Sequence, residues 1–470
     1  VVLRHLRVRV IFDPDIDWMQ GTNMDGIAMS KNDNEVPDPN LDSIYNVMID
    51  HCSISWATDE NFSTAGWARD YTVQWSIIAE GAKYGQEIGL ESLGWLTDWA
   101  PGVSAHPERF AHVTIHHNLL MHNAGRNPTI AAGDTYDIRN NVVYNWLNAF
   151  PSQYRYAPNI NFVGNFYMAG IDTNPVPLLQ NVIDVQDPLN NAKIPKFYIE
   201  GNFGPLRTSP DQDPWDIVVA YYRLENGTVC GQPVGTACIR YVNQTGEKAL
   251  FSLASPAPAP PIQEQGAFAA RDLVLTKVGA TIPRRDAVDE RLIQEVSYVR
   301  NNFTSKSITT DPSVATDGNI RHFGANDGPL LKVIIFKPQN DPSYSCLPRT
   351  YRVRPGQTVL QAKQEMLARM TCSFPDGLSL PGSIAQILAN PAVYQWEVQE
   401  MHVPDTALMN TLYPPAPNPA LPADTDGDLI PNVNEAVIGS NPSVADGGGD
   451  VDGDGYLNIE EYINAVAGDQ

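Results

Sequence analysis

Twelve residues near the C-terminus carry the plainest chemistry in the chain. Asp450, Asp452, Asp454 and Glu461 stand at loop positions 1, 3, 5 and 12, with Gly455 at position 6 and Asn458 at position 9. That is the spacing of a calcium loop: hard carboxylate oxygens at alternating positions, a glycine for the sharp turn, and a last Glu able to chelate with both oxygens. Asp424, Asp426, Asp428, Asn432 and Glu435 repeat the pattern upstream, with Leu429 where glycine is usual. Without an ion these carboxylates repel one another, so the tail is expected to fold only with the metal. Tyr456, Leu457, Ile459, Tyr462 and Ile463 give it an apolar face to bury, which an acidic disordered tail would lack.

The elements that precede this tail form a long repeat. Asp50-His51-Cys52-Ser53-Ile54, Val73–Ile78, Ile115–Leu120, Arg139–Val143 and Val163–Tyr167 share one local pattern. Superposing Cys52, Trp75, Asn118, Asn141 and Asn165 gives spacings of 23, 43, 23 and 24 residues, and Asn202 adds a copy 37 further on. Short β-rich runs near this period, with no helix between them, mark a β-solenoid. A recurring Asn can bond the backbone of a tight turn and the next Asn in the stack, keeping a buried polar row satisfied. Hairpins of a β-sandwich would space strands by only about 8–12 residues.

Composition narrows the function classes. The 470-residue chain has net charge -23, and 11 acidic residues without a Lys or Arg fall in 421–470. Such a surface disfavours nucleic acid as a partner. No apolar run reaches the ~18–20 residues of a membrane-spanning helix. Val1 opens directly in a strand pattern, with Leu6 two periods before Cys52. The chain therefore reads as starting inside the solenoid, with its signal peptide, cap and first turns expected to lie outside this sequence. Cys230 and Cys238 bracket a Gly- and Pro-containing loop, and Cys346 and Cys372 bracket a helical pattern. Two loop-closing disulfides and one buried thiol at Cys52 suit an oxidising compartment, hence a secreted or cell-surface protein; reduced thiols are the alternative.

The expected organisation is a solenoid with excursions and linker over 1–265, a helical segment over 266–300 that packs on it, a mixed segment over 301–420 without readable chemistry, and the calcium tail over 421–470. The excursions Asp13–Gly21 and Glu80–Arg109 are long inserts of the kind that rim a binding groove. Residues 206–265 read as irregular, ending in a polyproline-type linker over 254–261. Helices are expected at Ala267–Val278, from Asp286 (an N-cap) to about Val296, and at Val359–Met370, with a further one at Ser383–Ala389.

Several stretches together resemble pectate lyases of polysaccharide lyase family 1. They are Val2–Arg9, Asp25-Gly26-Ile27, Val47–Ser53, Val113–Asn118 with Arg126-Asn127-Pro128, Asn140–Asn145 and Val278–Asp289. The tail is similar to thrombospondin type 3 or dockerin-like repeats. The resemblance covers 1–205, 267–297 and 421–470. It implies an all-β chain: a right-handed parallel β-helix with a small mixed α/β C-terminal region and a calcium-binding tail. It also implies calcium-assisted β-elimination on pectate or another acidic uronate polymer. By that resemblance Arg126 is the base, Lys83 binds substrate, and Asp25 and Asp59 are cleft calcium ligands. The sequence departs from the family where a third acid is expected, at Ser63, and where a second Arg is expected, at Ala131; Glu60 is a candidate to compensate. Asp50, His51, His116 and His117 read as packing residues.

Two other classes stay open. A β-helix whose catalysis has decayed would serve as a carbohydrate-binding, adhesive or self-associating surface protein, and Ser63 and Ala131 favour it. A glycoside hydrolase would need paired carboxylates about 5–9 Å apart in the groove, and no Asp/Glu pair recurs at that register.

Overall fold

The computed structural model describes residues 1–10, 25–30, 44–57, 59–65, 68–81, 93–97, 111–130, 133–146, 151–154, 158–170, 173, 181–186, 194–223, 237–242, 248–282, 284–301, 330–338, 349–354, 356–374, 376–391, 393–402, 422–453 and 455–467. The first half winds into a parallel β-helix with three sheets along its length. Val2–Arg4, Ile44–Asp50, Ala68–Gln74, Val113–His116, Thr135–Arg139, Asn159–Val163 and Lys196–Glu200 form the first sheet. The second runs from Arg7–Arg9 to Phe166–Met168. The third runs from Ile27–Ser30 to Val218–Arg223, where Ala237–Tyr241 adds an antiparallel edge.

Alternation along each strand explains the winding. In the first sheet Ile49, Val73, Ile115, Ile138 and Phe162 stack inward at one register, turn upon turn. Each such side chain contributes about 1.5–3 kcal/mol on burial. Phe62 and Trp95 meet edge to face at 4.7 Å in the same interior.

The corner between the first and second sheets is a row of side-chain amides. Asn118 Oδ1 accepts from the Ser76 N–H, Asn141 Oδ1 from Asn118, Asn165 Oδ1 from Asn141, and Asn202 Oδ1 from Asn165, at 2.9–3.0 Å. Each Nδ2 donates to a main-chain carbonyl, as Asn141 does to Ile115 at 2.8 Å. The row continues through Ser76, whose Oγ accepts from the Cys52 N–H, so the bonded spacings are 24, 42, 23, 24 and 37. This corrects the expected alignment of Trp75 by one residue. Trp75 sits one position earlier, with φ of 48°, in a left-handed column shared by His51, His117, Asn140, Gly164 and Gly201. Its ring stacks on His117 at 4.3 Å instead of entering the row.

Two expectations on irregular chain are also corrected. The expected excursion Glu80–Arg109 contains Leu93–Thr97, which pairs with Glu60–Ala65 and Thr129–Ile130 as a regular strand of the third sheet. Residues 206–265 contain two strands, and the proline-rich run is a strap rather than a free linker. Leu253 N–H donates to Phe197 O, Ala257 exchanges two hydrogen bonds with Asn161, and Glu264 pairs with Arg139 at 2.6 Å. The partners lie far away in sequence, so composition alone gave no sign of the docking.

Helices cover the second sheet. Ala267–Lys277 and Ala287–Asn301 bury Val274, Leu275, Val288, Leu292 and Val296 against Trp75, Leu119, Met121 and Tyr144. Asp286 accepts from the Asp289 N–H, as an N-cap does. The strap crosses the first sheet, so among the described residues the third sheet is the face that neither strap nor these helices cover. Farther on, Leu330–Pro338, Arg349–Val353 and Tyr394–His402 form an antiparallel sheet with a separate core shared with Val359–Arg369 and Ile384–Leu388. Cys52 is buried and free. Cys230 and Cys346 lie outside the described residues, and with them both expected pairings. Among the described residues no helix is long and apolar enough to cross a membrane.

Candidate active site

The third sheet gathers four of the singled-out residues. Asp25 lies two residues before the first residue of the Ile27–Ser30 strand, Asp59 and Glu60 stand at the start of Glu60–Ala65, and Arg126 lies on the turn before Thr129–Ile130. Asp25, Asp59 and Glu60 each offer a carboxylate oxygen within 4.8 Å of the others. The Arg126 guanidinium is ion-paired with Glu60.

Local backbone chemistry fixes each group. Asp25 accepts from the Glu60 N–H at 3.3 Å and from the Ser63 hydroxyl, so Ser63 occupies the expected third-acid position as a donor. Arg126 adopts φ of 59°, and its carbonyl accepts from the Trp95 N–H at 2.5 Å. Asn123 Oδ1 accepts from Asn61 Nδ2 and from the Gly81 N–H, while its Nδ2 donates to Asn127 Oδ1, all at 3.0 Å. This second amide network ties three turns together beneath Arg126, and the sequence reading missed it because Asn61, Asn123 and Asn127 do not share one repeat register.

Electrostatics set the site apart from an ordinary surface cluster. Burial pushes the Asp25 carboxyl above its ordinary range, with Asp59 adding to the rise against the Ser63 hydrogen bond and Arg126. Burial raises Asp59 as well, against Arg126. Glu60 is 4% exposed. Three carboxylates against one guanidinium leave two negative charges, matched in charge and donor type to a hard divalent cation such as calcium. Lys83 and Ala131 lie outside the described residues. Asp50 and His51 bond each other at 2.7 Å and belong to the covered first sheet, as expected of packing residues. His116 and His117 are likewise buried, and burial lowers the His117 imidazole to about 4.

The tail forms a second acidic centre. Asp424 Oδ1 and Oδ2 accept from the Gly427 and Leu429 N–H groups; Asp450 Oδ1 and Oδ2 accept likewise from Gly453 and Gly455. Asn432 and Asn458 accept from Thr425 and Val451 N–H groups at 2.8 and 2.9 Å. The two loops are thus built alike, with Leu429 at φ of 78° doing the work of Gly455. Asp424, Asp426 and Asp428 cluster together, and Asp428, Glu435 and Asp446 form a second group. Both oxygens of Asp426, Asp428 Oδ2 and both oxygens of Glu435 are buried without a hydrogen-bond partner among the described residues. Burial, then Asp426, Asp428, Asp446 and Asp424, push the Glu435 carboxyl up. Orphaned acidic oxygens of this kind fit a cation. Asp446 escaped the sequence reading because it lies outside both twelve-residue windows. Asp454 lies outside the described residues.

No family model matches the chain. Among curated proteins it is similar to the "Probable pectate lyase C" of Aspergillus terreus, 29% identical over 256 residues, covering 53% of this chain and 48% of the relative. The protein of that name from Aspergillus oryzae is 33% identical over 132 residues, 27% of each chain. That of Emericella nidulans is 27% identical over 297 residues, covering 63% of this chain and 53% of the relative. The chain spans about half or less of the length of these relatives. A solved structure, pectate lyase II from Xanthomonas campestris pv. campestris, aligns with TM-score 0.32 at 13% identity over 55% of this chain and 65% of that one. The low-identity relatives support a pectate lyase-like family.

Proposed function

We propose that the protein is an extracellular polysaccharide lyase that cleaves pectate or a related uronate polymer by β-elimination. The observation that carries the reading is the Arg126 guanidinium paired with Glu60 beside the Asp25 and Asp59 carboxylates, on the solenoid face that among the described residues neither strap nor helices cover. Asp25, Asp59 and Glu60 would hold calcium in the cleft. Bound there, the ion supplies positive charge that withdraws electron density from a substrate carboxylate.

Arg126, in its neutral guanidine form, takes the proton α to that carboxylate, the C–H electron pair forms the C4–C5 double bond, and the C4–O electron pair departs with the leaving sugar oxygen, which takes a proton from water. Arginine side chains hold their proton above pH ~12, so a base role calls for a strongly cationic cleft and alkaline conditions. Asp25 and Ser63 orient the cluster, and Lys83 is assigned to the substrate carboxylate by the same reading. In the tail, Asp424, Asp426, Asp428, Glu435 and Asp446 would hold calcium for a structural or anchoring role, with Asp450, Asp452, Asp454, Asn458 and Glu461 as the second loop. Elimination is tested by mass spectrometry of products from polygalacturonate: unsaturated oligouronides weigh one water less than the hydrolysis products a glycoside hydrolase would make.

A second reading has its own observations. Ser63 replaces a carboxylate, and Leu429, Val433 and Val437 are 72%, 71% and 74% exposed along one side of the tail. Both features favour a non-catalytic protein that binds carbohydrate or a cell-surface or self-associating partner. Folded protein that releases neither unsaturated nor hydrolysis products from any uronate polymer, yet binds one of them, would favour that alternative.

A further inference from the structure

We infer that Glu60 is a shared carboxylate, which holds the Arg126 guanidinium while no cation is bound and gives it up when a divalent cation enters. The inference rests on the cleft-cation reading above. A carboxylate that is 4% exposed needs a positive partner, because burying an unpaired charge is costly. Glu60 has one in Arg126, and belongs at the same time to the one metal-competent carboxylate group of the solenoid among the described residues. A guanidinium and a divalent cation on one carboxylate repel each other, so one displaces the other.

The mobile partner is the arginine. Its main chain is pinned through the Trp95 N–H to Arg126 O bond, whereas its side chain is 34% exposed and has solvent to swing into. Glu60 sits on the regular strand Glu60–Ala65 between two paired neighbours and cannot follow. Cation entry and release of Arg126 toward the groove are then one event. The guanidinium becomes available to a substrate only in a site that already holds the cation the substrate carboxylate needs.

The test reads the arginine and not the reaction. Phenylglyoxal modification of the full chain is followed at the peptide containing Arg126 by mass spectrometry, with calcium and with chelator. In wild type, calcium accelerates labelling of Arg126 roughly fivefold or more, the lower end of ordinary site–site coupling. In Glu60→Gln labelling is fast under both conditions. In Asp25→Asn, which keeps the Glu60–Arg126 pair and leaves the tail acids untouched, it is slow under both. Labelling of wild type that ignores calcium overturns the inference, as does a calcium response that survives in Asp25→Asn. Because Asp25→Asn leaves the Glu60–Arg126 ion pair in place, it keeps the test decisive even where Glu60→Gln fails to fold. The calcium response with no cleavage of any uronate polymer would remove the lyase reading and leave the shared carboxylate standing.

Discussion

Gly94 lies directly under Arg126: a Cβ built on Gly94 would come 2.5 Å from the Arg126 carbonyl oxygen, 2.8 Å from Asn127 Oδ1 and 3.0 Å from Asn123 Nδ2. The neighbouring turn is thus seated on a bare backbone, and the height of Arg126 above the carboxylates depends on it. Gly94→Ala forces main chain to move, at a cost of about 1–3 kcal/mol. Displacing a catalytic group by about 1 Å costs on the order of a hundredfold in rate. The expected outcome is a folded protein with a modestly lower melting temperature and a severe loss of uronate cleavage. Full activity in Gly94→Ala would detach Arg126 from the chemistry.

The amide row makes a separate prediction about stability. Asn141→Ala leaves the Asn118 N–H and the Ile115 carbonyl without their partners inside the corner. Each orphaned buried group costs about 1–3 kcal/mol, so a destabilisation of about 2–6 kcal/mol is expected. Urea denaturation followed by circular dichroism measures it. An unchanged midpoint would mean that the row is replaceable by water.

Much of this was legible in the sequence because the solenoid repeats its reasons. Asn118, Asn141, Asn165 and Asn202 do one job four times, so their spacing announces the turn. Trp75 misled the alignment by one residue because the left-handed position beside the row accepts His, Trp, Asn and Gly alike, and carries no single signature. Asp25 and Asp59 were legible through family spacing. The Glu60–Arg126 pair was not, since it joins residues brought together only by the winding. The strap over the first sheet and the third-sheet strand Leu93–Thr97 were hidden for the same cause: their partners are remote, and their composition is that of loops.

Metal removal acts first on the tail. With both oxygens of Asp426 and Glu435 and Asp428 Oδ2 buried without a hydrogen-bond partner among the described residues, chelation leaves like charges packed together. The region 422–467 is expected to become protease-sensitive in chelator and to be protected again by calcium. Asp446→Ala should weaken that protection although it lies outside both loops, because Asp446 joins Asp428 and Glu435. Equal cleavage with and without calcium would remove the metal from the tail.

The cleft carboxylates set the direction of a pH effect. Burial raises Asp25 and Asp59 above their ordinary value of 3.8. An acid raised in the folded state contributes stability that is fully present below its unfolded value and is lost as pH rises through the folded value. The metal-free protein therefore carries a local penalty at neutral pH, and Asp25→Asn should raise its melting temperature there but not below pH 3.8. Calcium binding must release protons and weaken as pH falls through the raised values. Calorimetry in buffers of different ionisation enthalpy detects those protons; none released near these values would contradict the assignment.

The most direct measurement of the central claim is the ultraviolet absorbance of unsaturated uronate released from polygalacturonate at mildly alkaline pH, with wild type and Arg126→Ala compared in calcium and in chelator. The account predicts a steady rise for wild type in calcium, none in chelator, and a rate lowered at least about a hundredfold in folded Arg126→Ala. An equal rise from Arg126→Ala, or none from folded wild type on any uronate polymer, would contradict it.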